Sequence, residues 1–153
     1  MSDLSPTILL VEDNSDDSDM LRREFRKANL VNPVQIVTDG REAIDYFRGT
    51  GRFSDRAKYP LPFLVFLDLR LPRCDGLEVL TWIKGQPALQ EVALVVLSSS
   101  DNGLDYSKAF ALGARWHLRK PPMPGDLERL LAAVGGGYWR RSADRDPGPG
   151  HKP

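Results

Sequence analysis

The run Ile8-Leu9-Leu10-Val11 stops abruptly at Glu12-Asp13-Asn14, and four more short apolar runs follow it along the chain. They are Val34 to Val37, Phe63 to Leu67, Val92 to Leu97 and Trp116 to Leu118. A continuous apolar run of this length, bounded by polar or turn residues, is a strand covered on both faces. Phe63 to Leu67 has the strongest such character and reads as the central strand. Val34 to Val37 is less apolar and belongs nearer an edge.

Segments of helical period separate these strands. From Ser15 to Asn29, Leu21, Phe25 and Ala28 recur at i, i+4 and i+7 in a highly charged stretch, with Asn14 or Ser15 as N-cap. Ala43, Ile44 and Phe47 mark a second helix ending near Gly49. Leu77, Leu80 and Ile83 point inward from a third over about Asp75 to Lys84, closed by Gly85 and Pro87. Tyr106, Ala109, Phe110 and Gly113 are expected to share one face of a fourth, and Leu127, Leu130, Leu131 and Val134 mark a fifth. The loop from Thr50 to Leu61 exceeds the usual few residues, a length compatible with a binding role. Strands alternating with helices imply an α/β architecture, a doubly wound parallel sheet with helices on both faces. Residues 1–134 are expected to form this single domain. Residues 135–153, dense in Gly, Pro and charge, read as a flexible tail on which Tyr138 and Trp139 are the candidates for docking back.

Composition removes several function classes. Lys plus Arg number 21 and Asp plus Glu number 21, so the positive field that holds a protein on nucleic acid or an anionic membrane is missing. No apolar run is long enough to cross a bilayer, and the N-terminus turns acidic where a secretory signal stays hydrophobic. A cytoplasmic location is expected. The single cysteine, Cys74, allows no intrachain disulfide and no cysteine-based metal cluster.

In an open parallel sheet, ligands bind beyond the carboxyl ends of the strands. Those ends carry Glu12 and Asp13 after the first strand, Asp68 after the third, Ser98 after the fourth and Lys120 after the fifth. Three carboxylates brought together repel unless a cation lies among them, and a hard divalent ion such as Mg2+ suits such oxygens. Mg2+ is therefore the expected cofactor. Lys120 can neutralise an oxygen of an incoming phosphoryl group, and Ser98 can donate a hydrogen bond to another. Asp68, ending the central strand, is the expected nucleophile. Taken singly, Asp13 could start a helix cap, Asp68 and Ser98 could be loop residues, and Lys120 an ordinary surface lysine. Their coincidence at the strand ends favours a metal-assisted phosphoryl site.

These residues resemble the receiver domain of bacterial two-component response regulators from about Thr7 to Val134. The matching elements are Ile8 to Asn14, Leu67-Asp68-Leu69-Arg70-Leu71-Pro72 with Asp75-Gly76, Leu97-Ser98-Ser99-Ser100, Gly113-Ala114 and Lys120-Pro121. The resemblance implies a five-stranded parallel sheet in the order 2-1-3-4-5, the flavodoxin-like receiver fold. It also implies that Asp68 accepts a phosphoryl group from a sensor histidine kinase. Mg2+ would be held by Glu12, Asp13, Asp68 and the Arg70 carbonyl. Ser98 would be the switch hydroxyl, and Lys120 the phosphate-sensing lysine, followed by a cis peptide to Pro121. The longer loop before the third strand, together with Asp68 to Pro72 and Trp82-Ile83-Lys84, is similar to single-domain regulators paired with bacterial phytochromes. Output through the face of helix four, strand five and helix five, with a possible homodimer there, follows from the resemblance and from Tyr106, Phe110 and Trp116. With only a short tail after the fifth helix, no attached effector domain is expected.

His117 departs from the pattern, standing where many receivers have Tyr or Phe; it reads either as a pH-sensitive element or as an exposed edge-strand histidine. Arg70 reads either as a cation beside the phosphoryl site or as an exposed loop arginine. An Asp-nucleophile phosphohydrolase would need a second Asp two residues after the first, where this chain has Arg70. Enzymatic turnover is therefore disfavoured. A dinucleotide-binding enzyme lacks its glycine-rich turn here, and an interaction module with an idle site sits poorly with the complete set of polar strand ends.

Overall fold

The computed structural model describes residues 4–99 and 103–135. Ser100 and the expected tail beyond Gly135, with Tyr138 and Trp139, lie outside the described residues. Five strands and five helices alternate: β1 (Ser5–Val11), α1 (Ser15–Lys27), β2 (Val34–Val37), α2 (Gly40–Arg48), β3 (Pro62–Asp68), α3 (Gly76–Lys84), β4 (Ala93–Ser98), α4 (Gly103–Ala111), β5 (Trp116–Arg119) and α5 (Asp126–Val134). The strands form one sheet in the order β2-β1-β3-β4-β5, and every neighbouring pair is parallel. All seven residues of β3 are buried, as its position in the middle of the sheet requires.

Successive residues of a strand point to opposite faces, so each strand feeds two cores. Leu9, Val11, Val65, Leu67, Leu94 and Val96 pack beneath α2, α3 and α4. Ile8, Leu10, Leu64, Phe66, Val95 and Leu97 pack beneath α1 and α5, where Leu21, Phe25, Leu127, Leu130 and Leu131 meet them. Phe25 and Phe66 join α1 to the sheet with ring centroids 5.2 Å apart.

Asn14 is the N-cap of α1, accepting the Asp17 N–H at 3.0 Å. The inward face of α2 carries Tyr46 as well as Ala43 and Phe47, with Ile44 only half-buried. In α3, Val79 is fully buried and Leu77 only partly. The expected common face of α4 is corrected: Ala109 is fully buried, Phe110 is 45% exposed, and Gly113 falls beyond the helix at φ +108°.

The long loop before β3 spends its length on packing. Phe53 and Tyr59 close around Tyr46, with centroids 5.1 and 6.0 Å from its ring, and the Tyr46 hydroxyl donates to the Pro60 carbonyl at 2.8 Å. Arg56 donates to the carbonyls of Tyr46, Phe47 and Tyr59 at 2.5–2.9 Å, satisfying acceptors at the C-terminal end of α2. Because this loop leads into the start of β3, it lies at the opposite end of the sheet from Asp68.

Among the described residues, no helix is long and apolar enough to cross a membrane.

Candidate functional site

Glu12 and Asp13 follow β1, Asp68 and Ser98 are the last residues of β3 and β4, and Lys120 follows β5. The parallel register brings these ends together at one edge: Val11 pairs with Leu67, Asp68 with Leu97, and Ser98 with Arg119. Lys120 is joined to β4 through its backbone N–H, which donates to the Ser98 carbonyl at 3.0 Å, and the Lys120–Pro121 peptide is cis. Two glycines set the loop after β3. A Cβ on Gly76 would lie 2.6 Å from both the Asp68 carbonyl oxygen and the Leu69 Cα, and one on Gly40 would lie 1.8 Å from the Cys74 oxygen. Only glycine lets α2 and α3 approach this loop so closely.

The Lys120 ammonium is the hub of the site. Its Nζ donates to Glu12 Oε1 at 2.7 Å, Asp68 Oδ2 at 2.8 Å and Asp17 Oδ2 at 2.9 Å. The lysine side chain is 8% exposed, those of Glu12 and Asp68 0% and 7%. Burial alone would lower the lysine pKa, but the hydrogen bonds that the ammonium donates to Asp68, Glu12 and Asp17 overcome it and hold it above its usual range. Glu12 is pushed up to about 7, first by burial, against the opposing bonds from Lys120 and the Asn14 N–H.

Among the described residues, four acidic side chains meet one ammonium here and leave an excess of negative charge, which a further cation would relieve. Glu12, Asp13 and Asp68 each offer an oxygen, and those oxygens lie within 4.8 Å of one another. All-oxygen donors at this separation fit Mg2+ or a similar hard ion. Arg70, the other expected ligand, donates its backbone N–H to Asp68 Oδ1 at 2.8 Å, and its residue is exposed. Ser98 is buried at the end of β4. Next to Asp68, Leu69, Arg70, Leu71, Asp75 and Leu77 line a cavity of about 510 Å³. A larger one of about 570 Å³, lined by Leu89, Ala93 and Leu112 among others, lies at the far end of the sheet, away from these carboxylates.

Residues 8–134 of the chain match the family model of the response regulator receiver domain. This chain belongs to that family. The receiver is 37% identical over 145 residues to the probable methanogenesis regulatory protein FilR2 of Methanothrix harundinacea, covering 93% of this chain and 88% of FilR2. It is similar to the solved bacteriophytochrome response regulator RtBRR, with a TM-score of 0.80 and 33% identity over 96% of this chain and 86% of that one. The Mn2+-bound form of response regulator Rcp1 superposes with a TM-score of 0.70 at 32% identity, covering 84% of this chain and 90% of that one.

Two features of this receiver's site were not foreseen from sequence. Asp17 sits among charged residues that read as a solvated helix face, yet it reaches Lys120; its place in the first turn of α1, four residues after Asp13, is the signal that could have found it. Asp39 also follows a strand, but it serves structure: it caps α2 by accepting the Glu42 N–H at 2.7 Å and pairs with Arg73 at 3.4 Å. His117 is exposed on β5, its ring in tilted contact with Tyr106 of α4, with centroids 4.2 Å apart and planes at 38°.

Proposed function

We propose that this receiver is a Mg2+-dependent phosphoacceptor of a histidine kinase system, with Asp68 as the residue phosphorylated. One observation carries the reading: a nearly buried lysine from the end of β5 is hydrogen-bonded to acids from the ends of β1 and β3. A carboxylate oxygen of Asp68 attacks the phosphorus of a kinase phosphohistidine. The P–O bond to Asp68 forms as the P–N bond breaks, and the bonding pair returns to the departing imidazole nitrogen. Glu12, Asp13, Asp68 and the Arg70 carbonyl would hold Mg2+, which when bound offsets charge on the transferring oxygens.

Phosphorylation adds about 1.5 to 2 negative charges at Asp68. Lys120 then has a stronger acceptor than the carboxylate it holds at rest, and the Ser98 hydroxyl donates to a phosphoryl oxygen. Movement at the ends of β4 and β5 passes to α4, β5 and α5, the face on which output and any homodimer would form. The relatives named for phytochrome signalling support a bacterial phytochrome as the kinase, in a cytoplasmic pathway. Residues 1–134 act as the receiver, and residues 135–153 lie outside it. The chain phosphorylates and dephosphorylates at its own Asp68 but turns over no separate substrate.

The test is phosphoryl uptake from acetyl phosphate in Mg2+, read by intact mass and by mapping the labelled residue. Uptake at Asp68 that is lost in Asp68→Asn, with the circular dichroism unchanged, is expected. Undiminished uptake in Asp68→Asn, or none in the parent chain, overturns the assignment.

A further inference from the structure

Each N–H of the Lys120 ammonium has its own carboxylate: Glu12 Oε1 at 2.7 Å, Asp68 Oδ2 at 2.8 Å and Asp17 Oδ2 at 2.9 Å. Glu12 and Asp68 belong to the trio able to hold a divalent ion, and Asp17 does not. These two acids therefore have competing claims on them, whereas Asp17 serves the lysine alone. The geometry of Asp17 is set independently of the strand ends. It stands in the first turn of α1, its backbone N–H held by Asn14 Oδ1 at 3.0 Å. Its side chain is 36% exposed, so its charge is kept in contact with water at little desolvation cost.

We propose that Asp17 is a positioning residue that keeps the Lys120 ammonium on the α1 side of the crevice while Glu12 and Asp68 exchange it for a divalent cation. The proposal rests on the Mg2+-dependent reading of the site. With Asp17 in place, Lys120 keeps a charged acceptor when the other two are withdrawn, and its positive charge need not stay against the oxygens that a cation requires. With a neutral amide there, the ammonium stays on Glu12 and Asp68 and competes for them.

The proposal is tested by calorimetric titration of Mg2+ into the full chain and into Asp17→Asn, Asp17→Glu, Lys120→Met and the Asp17→Asn/Lys120→Met double variant. Asp17→Asn is expected to weaken Mg2+ binding about tenfold, a coupling typical of groups in one charged network. Asp17→Glu should return to within about twofold of the parent, because a carboxylate is restored. In the Lys120→Met background, Asp17→Asn should change the affinity by about twofold or less, since no ammonium remains to be held. A full tenfold effect in that background would mean that Asp17 acts only as a negative charge near the cation, which overturns the proposal, as does parental affinity in Asp17→Asn. If Lys120→Met does not fold, the ammonium resonance of Lys120 in the metal-free protein decides. It should shift in Asp17→Asn and return in Asp17→Glu, and an unmoved resonance overturns the role. Absence of Mg2+ binding by the parent chain would overturn the underlying reading of the site together with this one; binding by the parent with uncoupled Asp17 overturns this one alone.

Discussion

Lys120 Nζ and Glu12 Oε1 lie 2.7 Å apart although 108 positions of sequence separate them, and neither side chain has more than 8% of its surface exposed. Such a pair is held in place by the whole sheet, because β1 and β5, which carry its two members, are linked to each other only through β3 and β4. Breaking one side of a buried pair leaves the other charge uncompensated, which costs far more than the pair itself contributes.

Lys120→Ala is therefore expected to destabilise the metal-free protein by about 3–5 kcal/mol. Removing the ammonium also removes a competitor for Glu12 and Asp68, so Mg2+ should bind more tightly and recover much of the loss. Urea unfolding with chelator and with Mg2+ measures both. The variant should still take up phosphoryl groups to some degree while failing to change partner affinity. Equal stability of variant and parent in chelator would show that the three contacts of Lys120 carry no net weight.

Gly76→Ala places a methyl carbon 2.6 Å from the Asp68 carbonyl oxygen and the Leu69 Cα, so the loop behind Asp68 must shift. A loss of about 1–3 kcal/mol is expected, with slower phosphoryl uptake. Gly85→Ala is the control: its nearest neighbour, the Trp82 carbonyl oxygen, would be 3.6 Å away, and its φ is −83°. That change should be neutral or stabilising by up to about 1 kcal/mol. Thermal unfolding of the two variants side by side checks the contrast.

Burial pushes the Tyr46 hydroxyl up to about 12, against a smaller opposing effect of Arg56. The unfolded chain then loses this proton near 10 while the folded chain keeps it, so the unfolded state binds fewer protons between those values. Stability from Tyr46 is complete below pH 10 and is lost as pH rises toward 12. Tyr46→Phe should cost about 1–2 kcal/mol at neutral pH, because the Pro60 carbonyl loses its donor. Above pH 10 the gap between variant and parent should narrow, and a constant gap in pH-dependent urea midpoints would contradict the burial of this hydroxyl.

Arg56→Ala is expected to cost about 2–3 kcal/mol, since three carbonyls lose a charged donor. Arg56→Lys should recover little, because an ammonium cannot reproduce the planar fork that meets Tyr46 and Phe47 together. Chemical denaturation of both variants measures this, and full rescue by lysine would mean that charge alone matters.

Much of the architecture was legible because it rests on local pattern. Continuous runs such as Phe63 to Leu67 mark buried parallel strands, and Leu21, Phe25, Leu127 and Leu131 fall at helical spacing. The strand ends then placed Glu12, Asp13, Asp68, Ser98 and Lys120 at one edge without any knowledge of contacts. What escaped was decided by tertiary geometry. Phe110 follows the same helical spacing as Tyr106 yet stays exposed, because Ala109 takes the position against the sheet. Asp17 looks like any acid in a solvated first turn until β5 delivers an ammonium to it. The purpose of the loop from Thr50 to Leu61 was hidden for a similar reason: its aromatic residues are spaced irregularly, and only their convergence on Tyr46 shows that the segment builds core.

β3 is buried along all seven residues, and Leu64 to Leu67 pair with β1 on one side and β4 on the other, which makes that strand the least able to open locally. Its amides should be among the last to exchange with solvent. Asp68 thus ends a stiff post rather than a flexible arm. Under the proposed phosphorylation, a charge added there meets little give in its own strand, so the response is expected at the ends of β4 and β5 instead.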